Sequence, residues 1–304
     1  MRFKGCEQER QFWLAHLREI SDNDSTHERF RSCGDVCWVE HDVDNDRYYL
    51  AAETCKLRIC PACRKRIQHR TSSRVLEYYD AHPNLKWQFI TLTLKHTDAN
   101  LSSQLDRLTA SFRKLRQRSL WKSAVPGGYA VIEVTFHAAG TFNPSGRMRE
   151  SAEWHPHLHV LVQTEWINWS DLRKAWLSVT GDSNNIDCQH VNSARSAAHY
   201  VAKYIGKPPN LDFSAHLPEA KEWYDALLHR RLLIPFGPQA ERERQPPPPQ
   251  PRTERICRFK DLLAAAHQGN YPAQSILTRL IFHIHPPGKK QSQQQKLPYA
   301  NAPP

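Results

Sequence analysis

The chain has 304 residues, with 42 Lys and Arg against 31 Asp and Glu, a net charge of +11 and an isoelectric point near 9.3. That length can bury a substantial core as one large domain or two modest ones, and the charge favours an acidic partner, most commonly nucleic acid. No run of about 18 apolar residues occurs, which excludes a bilayer-spanning helix, and the charged opening MRFKGCEQERQFWLAHLREI lacks the apolar core of a secretory signal. A cytoplasmic protein without membrane contact is therefore expected. Eight Cys in such a chain read as thiols or metal ligands rather than as a disulfide framework.

Residues 8 to 20 have the pattern of a short helix, and a polar stretch follows as far as Cys33. Cys55, Cys60 and Cys63 then lie in CKLRICPAC, with Cys33 and Cys37 upstream. Close spacing on one side and a distant Cys on the other suits one Zn²⁺ in a closed tetrahedral site. The expected ligands are Cys55, Cys60 and Cys63, with Cys33 ahead of Cys37 as the fourth. Lys56, Arg58, Arg64, Lys65, Arg66, Arg70 and Arg74 surround these thiols, and no acidic residue falls between Lys56 and Arg74. A metal-pinned loop followed by a basic helix would present this charge to DNA phosphates.

KWQFITLTLK at 86 to 95 alternates as a strand, with Ile90, Leu92 and Leu94 on one side and Thr91 and Thr93 on the other. Leu101, Leu105, Leu108, Phe112 and Leu115 recur at helical spacing. After the break Pro126-Gly127-Gly128, the segment YAVIEVTF puts Ala130, Ile132, Val134 and Phe136 on one face and Glu133 on the other. WHPHLHVLV at 154 to 162 places Leu158, Val160 and Val162 opposite His155, His157 and His159. A helix capped by Ser170 and ended by Gly181 follows, then a short strand around Ile186 and Cys188, then a helix from Ser193 to Gly206. This order of strand, helix, strand, strand, helix, strand, helix predicts an α+β fold. It fits a split βαβ (ferredoxin-like) antiparallel sheet with helices on one face and the other face partly open.

If the apolar residues of three strands point to the helices, then Thr91, Thr93, Glu133, His157 and His159 share the open side. One carboxylate and two imidazoles make a mixed site suited to Mg²⁺ or Mn²⁺ rather than to a closed structural zinc. His155 competes with Glu133 as the third ligand. On the last helix Ala194, Ala197, Ala198, Val201 and Ile205 form a packing stripe, while Tyr200, Lys203, Tyr204 and Lys207 occupy another side. A phenol is a poor nucleophile at neutral pH unless a nearby cation favours its ionised form.

Together these residues resemble the HUH endonuclease superfamily, specifically the rolling-circle replication initiators of plasmids and phages. FITLTLKH at 89 to 96 looks like the first family motif, His157-Leu158-His159 like the His-hydrophobe-His motif, and Tyr200-Val-Ala-Lys-Tyr204 like the nucleophile motif. CKLRICPAC is similar to the zinc-binding segment of many plasmid initiators. The resemblance implies that His157, His159 and Glu133 hold a divalent metal at a scissile phosphodiester of single-stranded or supercoiled origin DNA. It implies further that Tyr204 or Tyr200 attacks, leaving a 5′-phosphotyrosine and a 3′-OH for a host polymerase, with Lys203 or Lys207 stabilising charge. Many plasmid relatives carry Glu where this chain has Tyr200, so the arrangement here is similar to the two-tyrosine phage A proteins. A related transposase, a histidine triad nucleotide hydrolase with His157 as nucleophile, and a non-catalytic zinc-containing DNA-binding regulator are the competing readings.

The expected organisation is an N-terminal helix and zinc-binding basic segment (1–80), a nuclease domain (86–207), a helical extension (208–244), a stiff Pro-rich linker (245–253), a small helical segment (254–285) and a disordered tail (286–304). No G-x-x-x-x-G-K-[ST] motif occurs, so duplex opening is expected from a host helicase.

Overall fold

A computed structural model describes residues 7–82, 84, 86–142, 146–164, 166–191, 193–205, 207–210, 212, 215–244 and 252–282. The chain runs α1 (Glu7–Ile20), α2 (Asp24–Arg31), β1 (Cys37–Asp42), β2 (Arg47–Ala52), α3 (Pro61–Asp80), β3 (Trp87–Thr93), α4 (Leu101–Leu115) and α5 (Ser119–Ala124). It continues through β4 (Gly127–His137), β5 (Glu153–Gln163), α6 (Trp169–Thr180), β6 (Ile186–His190), α7 (Ala194–Tyr204) and α8 (Leu217–Leu227). The last elements are β7 (Leu233–Phe236), α9 (Pro238–Arg244), β8 (Thr253–Arg258), α10 (Phe259–His267) and α11 (Tyr271–Phe282). Among the described residues no helix is long and apolar enough to cross a membrane.

The elements gather into two compact units. The larger is built on an antiparallel five-stranded sheet of order β6-β3-β5-β4-β7. Its central strands alternate as the sequence dictates. Ile90, Leu92, Ala130, Ile132, Val134, Leu158, Val160 and Val162 are buried on one face, on the side where α4 packs against β5 and α6 packs against α4. The whole α4 stripe of Leu101, Leu105, Leu108, Phe112 and Leu115 is buried there, each residue contributing about 1.5–3 kcal/mol by leaving water. Asn168 caps α6 by accepting from the Ser170 N–H at 2.9 Å. The cap is therefore two residues before the expected Ser170, because an Asx side chain reaches the same orphan donors. Gly181 ends that helix in the left-handed region, at φ +85°.

The second face is covered over half its length. Phe89, Tyr129, Val131 and Leu161 form a core with Val75 and Tyr78 of α3 and with Ala197, Ala198 and Val201 of α7. Helices thus lie on both sides of the sheet, and the expected open side is the uncovered half. The α7 stripe packs as its spacing predicts; the Ala194 side chain is outside the described residues. From the stretch 208–244, expected as a helical extension, α8, β7 and α9 belong to this body. β7 pairs with the β4 edge, Gly128 facing Phe236, where a side chain on Gly128 would collide with the Leu161 carbonyl. Glu222 of α8 accepts from Trp154 Nε1 and from the Leu101 N–H, both at 2.7 Å.

The smaller unit is an antiparallel sheet of order β2-β1-β8 over a core of Val39, Leu262, Ala266 and Ala273. The β1–β2 turn is held by Asp42, which accepts from the Asn45 N–H at 3.0 Å. The segment between Cys37 and Cys55, to which the sequence assigned no element, is therefore a hairpin. Likewise 253–258, read as linker and helix, is a strand. β8 depends on pairing with β1 across some two hundred residues, which local periodicity does not encode. The Pro-rich run 245–251 and the tail 286–304 lie outside the described residues.

Candidate active site and metal centres

The register of β5 with its neighbours builds the site. His159 faces Thr91 on β3 and Val131 on β4, while His157 faces Thr93 and Glu133. Thr91 Oγ1 lies 3.2 Å from His159 Nδ1, and Thr93 Oγ1 lies 3.1 Å from His157 Nδ1. The two hydroxyls fix both rings so that each Nε2 looks toward β4, the outer-shell anchoring that orients metal-binding imidazoles. His159 Nε2 is 2.6 Å from Glu133 Oε2, and both residues are buried. His157 Nε2 is 3.4 Å from Thr135 Oγ1. The threonines sit at alternate positions of FITLTLK, and that alternation was the sequence signal for them.

Burial pushes the Glu133 carboxyl up, but hydrogen bonds and charge from His159 and Lys207 outweigh it and bring its pKa down to about 2. Burial, reinforced by His159 and resisted by Glu133, brings His157 down to about 4. The site therefore offers an ionised carboxylate and a neutral imidazole at neutral pH, the protonation states a divalent cation requires. Lys207 donates to Glu133 Oε1 at 2.5 Å, so this lysine is placed on the carboxylate.

Both predicted tyrosines reach this half of the sheet. The Tyr204 ring stacks on His159 with centroids 3.6 Å apart and planes at 11°. Tyr200 packs on Phe89 at 4.6 Å, and its hydroxyl meets Gln189 Oε1 on β6 at 3.5 Å. Lys203 Nζ lies 5.2 Å from the Tyr204 ring centre. Burial, then the negative charge of Glu133 and the neighbouring Tyr200, raises the Tyr204 phenol above its ordinary pKa. Phe89 and Gln189 carried no chemical signature in the sequence; only packing makes them neighbours of the phenols.

The cysteines converge as their spacing predicts. In the larger unit the Sγ atoms of Cys55, Cys60 and Cys63 all lie within 4.8 Å of one another, and all three residues are buried; Cys33, the expected fourth ligand, belongs to the smaller unit and is buried as well. Ligands on one tetrahedral zinc at 2.3 Å would be about 3.7 Å apart. Cys55 and Cys63 are already at 3.5 Å. Cys60 and Cys63 stand at the start of α3, and Pro61 opens the helix between them. Cys37, the alternative to Cys33, begins β1 opposite Ala52. Hydrogen bonding to Cys60 and Cys63, added to burial, raises the Cys55 thiol.

The basic segment divides. Lys56, Lys65, Arg66, Arg70 and Arg74 are exposed, on the loop before α3 and on α3 itself, the helix against which α7 packs. Arg58 and Arg64 correct the expectation of phosphate contacts. Arg64 is buried in a paired ion bridge to Glu9 at 2.6 and 2.7 Å. Arg58 donates to the carbonyls of Leu227 and Arg230. Long side chains beside a buried loop satisfy internal acceptors, and a charge run alone does not distinguish them from solvated neighbours.

His155, the competing third ligand, does not join the pair. It lies with His96 and Glu153, ligand atoms within 4.8 Å of one another. Burial, followed by the charges of His137 and His96, lowers its pKa.

The model of the replication protein family Rep_1 matches residues 47–254. The chain belongs to that family. A rep protein of Streptococcus pneumoniae is 28% identical over 238 residues, covering 71% of each chain. One of Bacillus amyloliquefaciens is 28% identical over 246 residues, covering 69% of each. One of Staphylococcus aureus is 26% identical over 172 residues, covering 51% of this chain and 70% of its own. No solved structure matches. Rep_1 membership makes this chain a plasmid-type rolling-circle replication initiator and leaves the nucleotide-hydrolase reading without support.

Proposed function

We propose that this Rep protein nicks single-stranded origin DNA by tyrosine attack and later rejoins the strand. The observation that carries the reading is Tyr204 stacked on His159, whose Nε2 meets Glu133. A candidate nucleophile thereby sits on a candidate metal ligand. A divalent cation such as Mg²⁺ or Mn²⁺, held by His157, His159 and Glu133, would neutralise charge on the scissile phosphate. Thr91 and Thr93 keep the two imidazoles aimed, and Lys203 favours the ionised Tyr204. The phenolate oxygen attacks phosphorus and forms the tyrosyl ester; the bond to the 3′ oxygen breaks, and that oxygen takes up a proton. The free 3′-OH is the primer for a host polymerase, and a host helicase opens the duplex.

Tyr200, held on Phe89 and Gln189 rather than on His159, serves as the second nucleophile after Tyr204. The exposed Lys56, Lys65, Arg66, Arg70 and Arg74 guide the DNA backbone toward α7. Cys55, Cys60 and Cys63 hold a structural Zn²⁺ that shapes the loop before α3.

The test is end-labelled single-stranded DNA from the origin of its own replicon, incubated with Mn²⁺ and the full chain. A denaturant-resistant, EDTA-sensitive adduct is expected with wild type, strongly reduced in Tyr204→Phe and lost in the Tyr200→Phe/Tyr204→Phe double variant. DNA binding without any adduct would replace the nuclease with a non-catalytic zinc-containing regulator.

A further inference from the structure

His96, Glu153 and His155 lie where β3 and β5 leave the sheet, at the end of the polar face beyond His157. From their geometry we infer that they form a second metal site, separate from His157, His159 and Glu133, for a dication of the Mn-to-Zn series. The two carboxylate oxygens of Glu153 face one imidazole each: Oε1 is 3.5 Å from His96 Nε2 and Oε2 is 3.7 Å from His155 Nε2. Those separations are long for hydrogen bonds and close to the roughly 3.4 Å that separates N and O ligands at about 2.1 Å around a tetrahedral ion. The two imidazoles stack at 5.6 Å with planes 11° apart, and all three side chains are between 17% and 28% exposed, which leaves room for a water ligand.

The surroundings are those of a built site. Arg149 Nε donates to Glu153 Oε2 at 3.2 Å from a side chain only 9% exposed, the kind of outer partner that fixes a ligating carboxylate. His137 packs edge-on against His155 at 5.2 Å, and Asp98 Oδ1 is 3.6 Å from His96 Nε2. Among the described residues, buried His96 Nδ1 has no hydrogen-bond partner. Two nitrogens and one carboxylate oxygen favour a transition-metal dication over Mg²⁺ or Ca²⁺, which prefer all-oxygen sets.

The inference does not depend on the nicking reading, and its test reads metal rather than DNA. The full chain, with its cysteines already loaded with zinc, is titrated with Co²⁺ and followed by visible absorption and calorimetry. In a His157→Ala/His159→Ala background one Co²⁺ equivalent is expected to remain. Adding His96→Ala and Glu153→Gln should weaken that binding by more than about 100-fold, beyond the effect of losing an outer partner. A background variant that takes up no Co²⁺, or one whose Co²⁺ is indifferent to His96→Ala and Glu153→Gln, overturns the site. If the background variant does not fold by circular dichroism, the single His96→Ala change in the otherwise wild-type chain decides. Loss of one of two Co²⁺ equivalents supports the site, and an unchanged count overturns it.

Discussion

The two faces of β5 divide the labour of the molecule. On one, Leu158, Val160 and Val162 are fully buried beneath the layer of α4 and α6. On the other, one residue away in each case, His157 and His159 carry hydroxyl, carboxylate and phenol partners. The apolar face gains by excluding water and tolerates no loss of volume, whereas the polar face depends on aimed lone pairs and on one uncovered end. Under the proposed function, stability and chemistry fall on alternate residues of one strand, so neighbouring substitutions should fail in opposite ways.

The sharpest contrast is between Leu158→Ala and His159→Ala. The first should lower unfolding free energy by about 2–5 kcal/mol, measured by urea denaturation, with adduct formation per folded molecule preserved. The second should lower the urea midpoint less, by the loss of the imidazole's bonds to Thr91 and Glu133, yet reduce the adduct rate by on the order of 10²–10³. Equal losses of stability in both variants would erase the division between the faces.

A smaller effect is expected at Lys207. Lys207→Gln removes one of the two hydrogen-bond partners that hold Glu133 ionised; with the lysine side chain 41% exposed, the bond is worth about 1 kcal/mol after solvent screening. Nuclear magnetic resonance titration should show the Glu133 carboxyl rising from about 2 toward the ordinary carboxylate range. A carboxyl that does not move would assign its low pKa to His159 alone.

A further effect is on acid sensitivity without added metal. His157 binds its proton near pH 4 in the fold against 6.5 ordinarily. The unfolded chain therefore takes up that proton first, and stability falls as pH drops from about 6.5 toward 4. Glu133, at about 2 against 4.5, continues the same fall from about 4.5 toward 2. His157→Gln should flatten the urea midpoint between pH 6.5 and 4 while leaving the lower limb intact. An unchanged upper limb would place the acid sensitivity elsewhere.

Much of this was legible residue by residue. Alternation in FITLTLK, YAVIEVTF and HPHLHVLV assigned each side chain to its face, and the β4–β5 register brought Glu133 opposite His157. Helical spacing in ARSAAHYVAKY put Tyr200 and Tyr204 on one side, and both meet Phe89. Arg58 and Arg64 looked like their exposed neighbours until Glu9 and the carbonyls of α8 and its following loop were in place. His155 looked like a third member of its row, yet the ends of β3 and β5 draw it to His96 and Glu153.

The sequence by itself therefore determined the alternating faces, the helix bearing the tyrosines and the spacing of the thiols, because periods of two and 3.6 and short ligand spacings are local properties of the chain. Only the tertiary structure decided that α3 and α7 close half of the second face, that β7 and β8 join strands far away in sequence, and which cations turn inward. Those outcomes depend on contacts between residues up to some two hundred positions apart, and no local pattern specifies them.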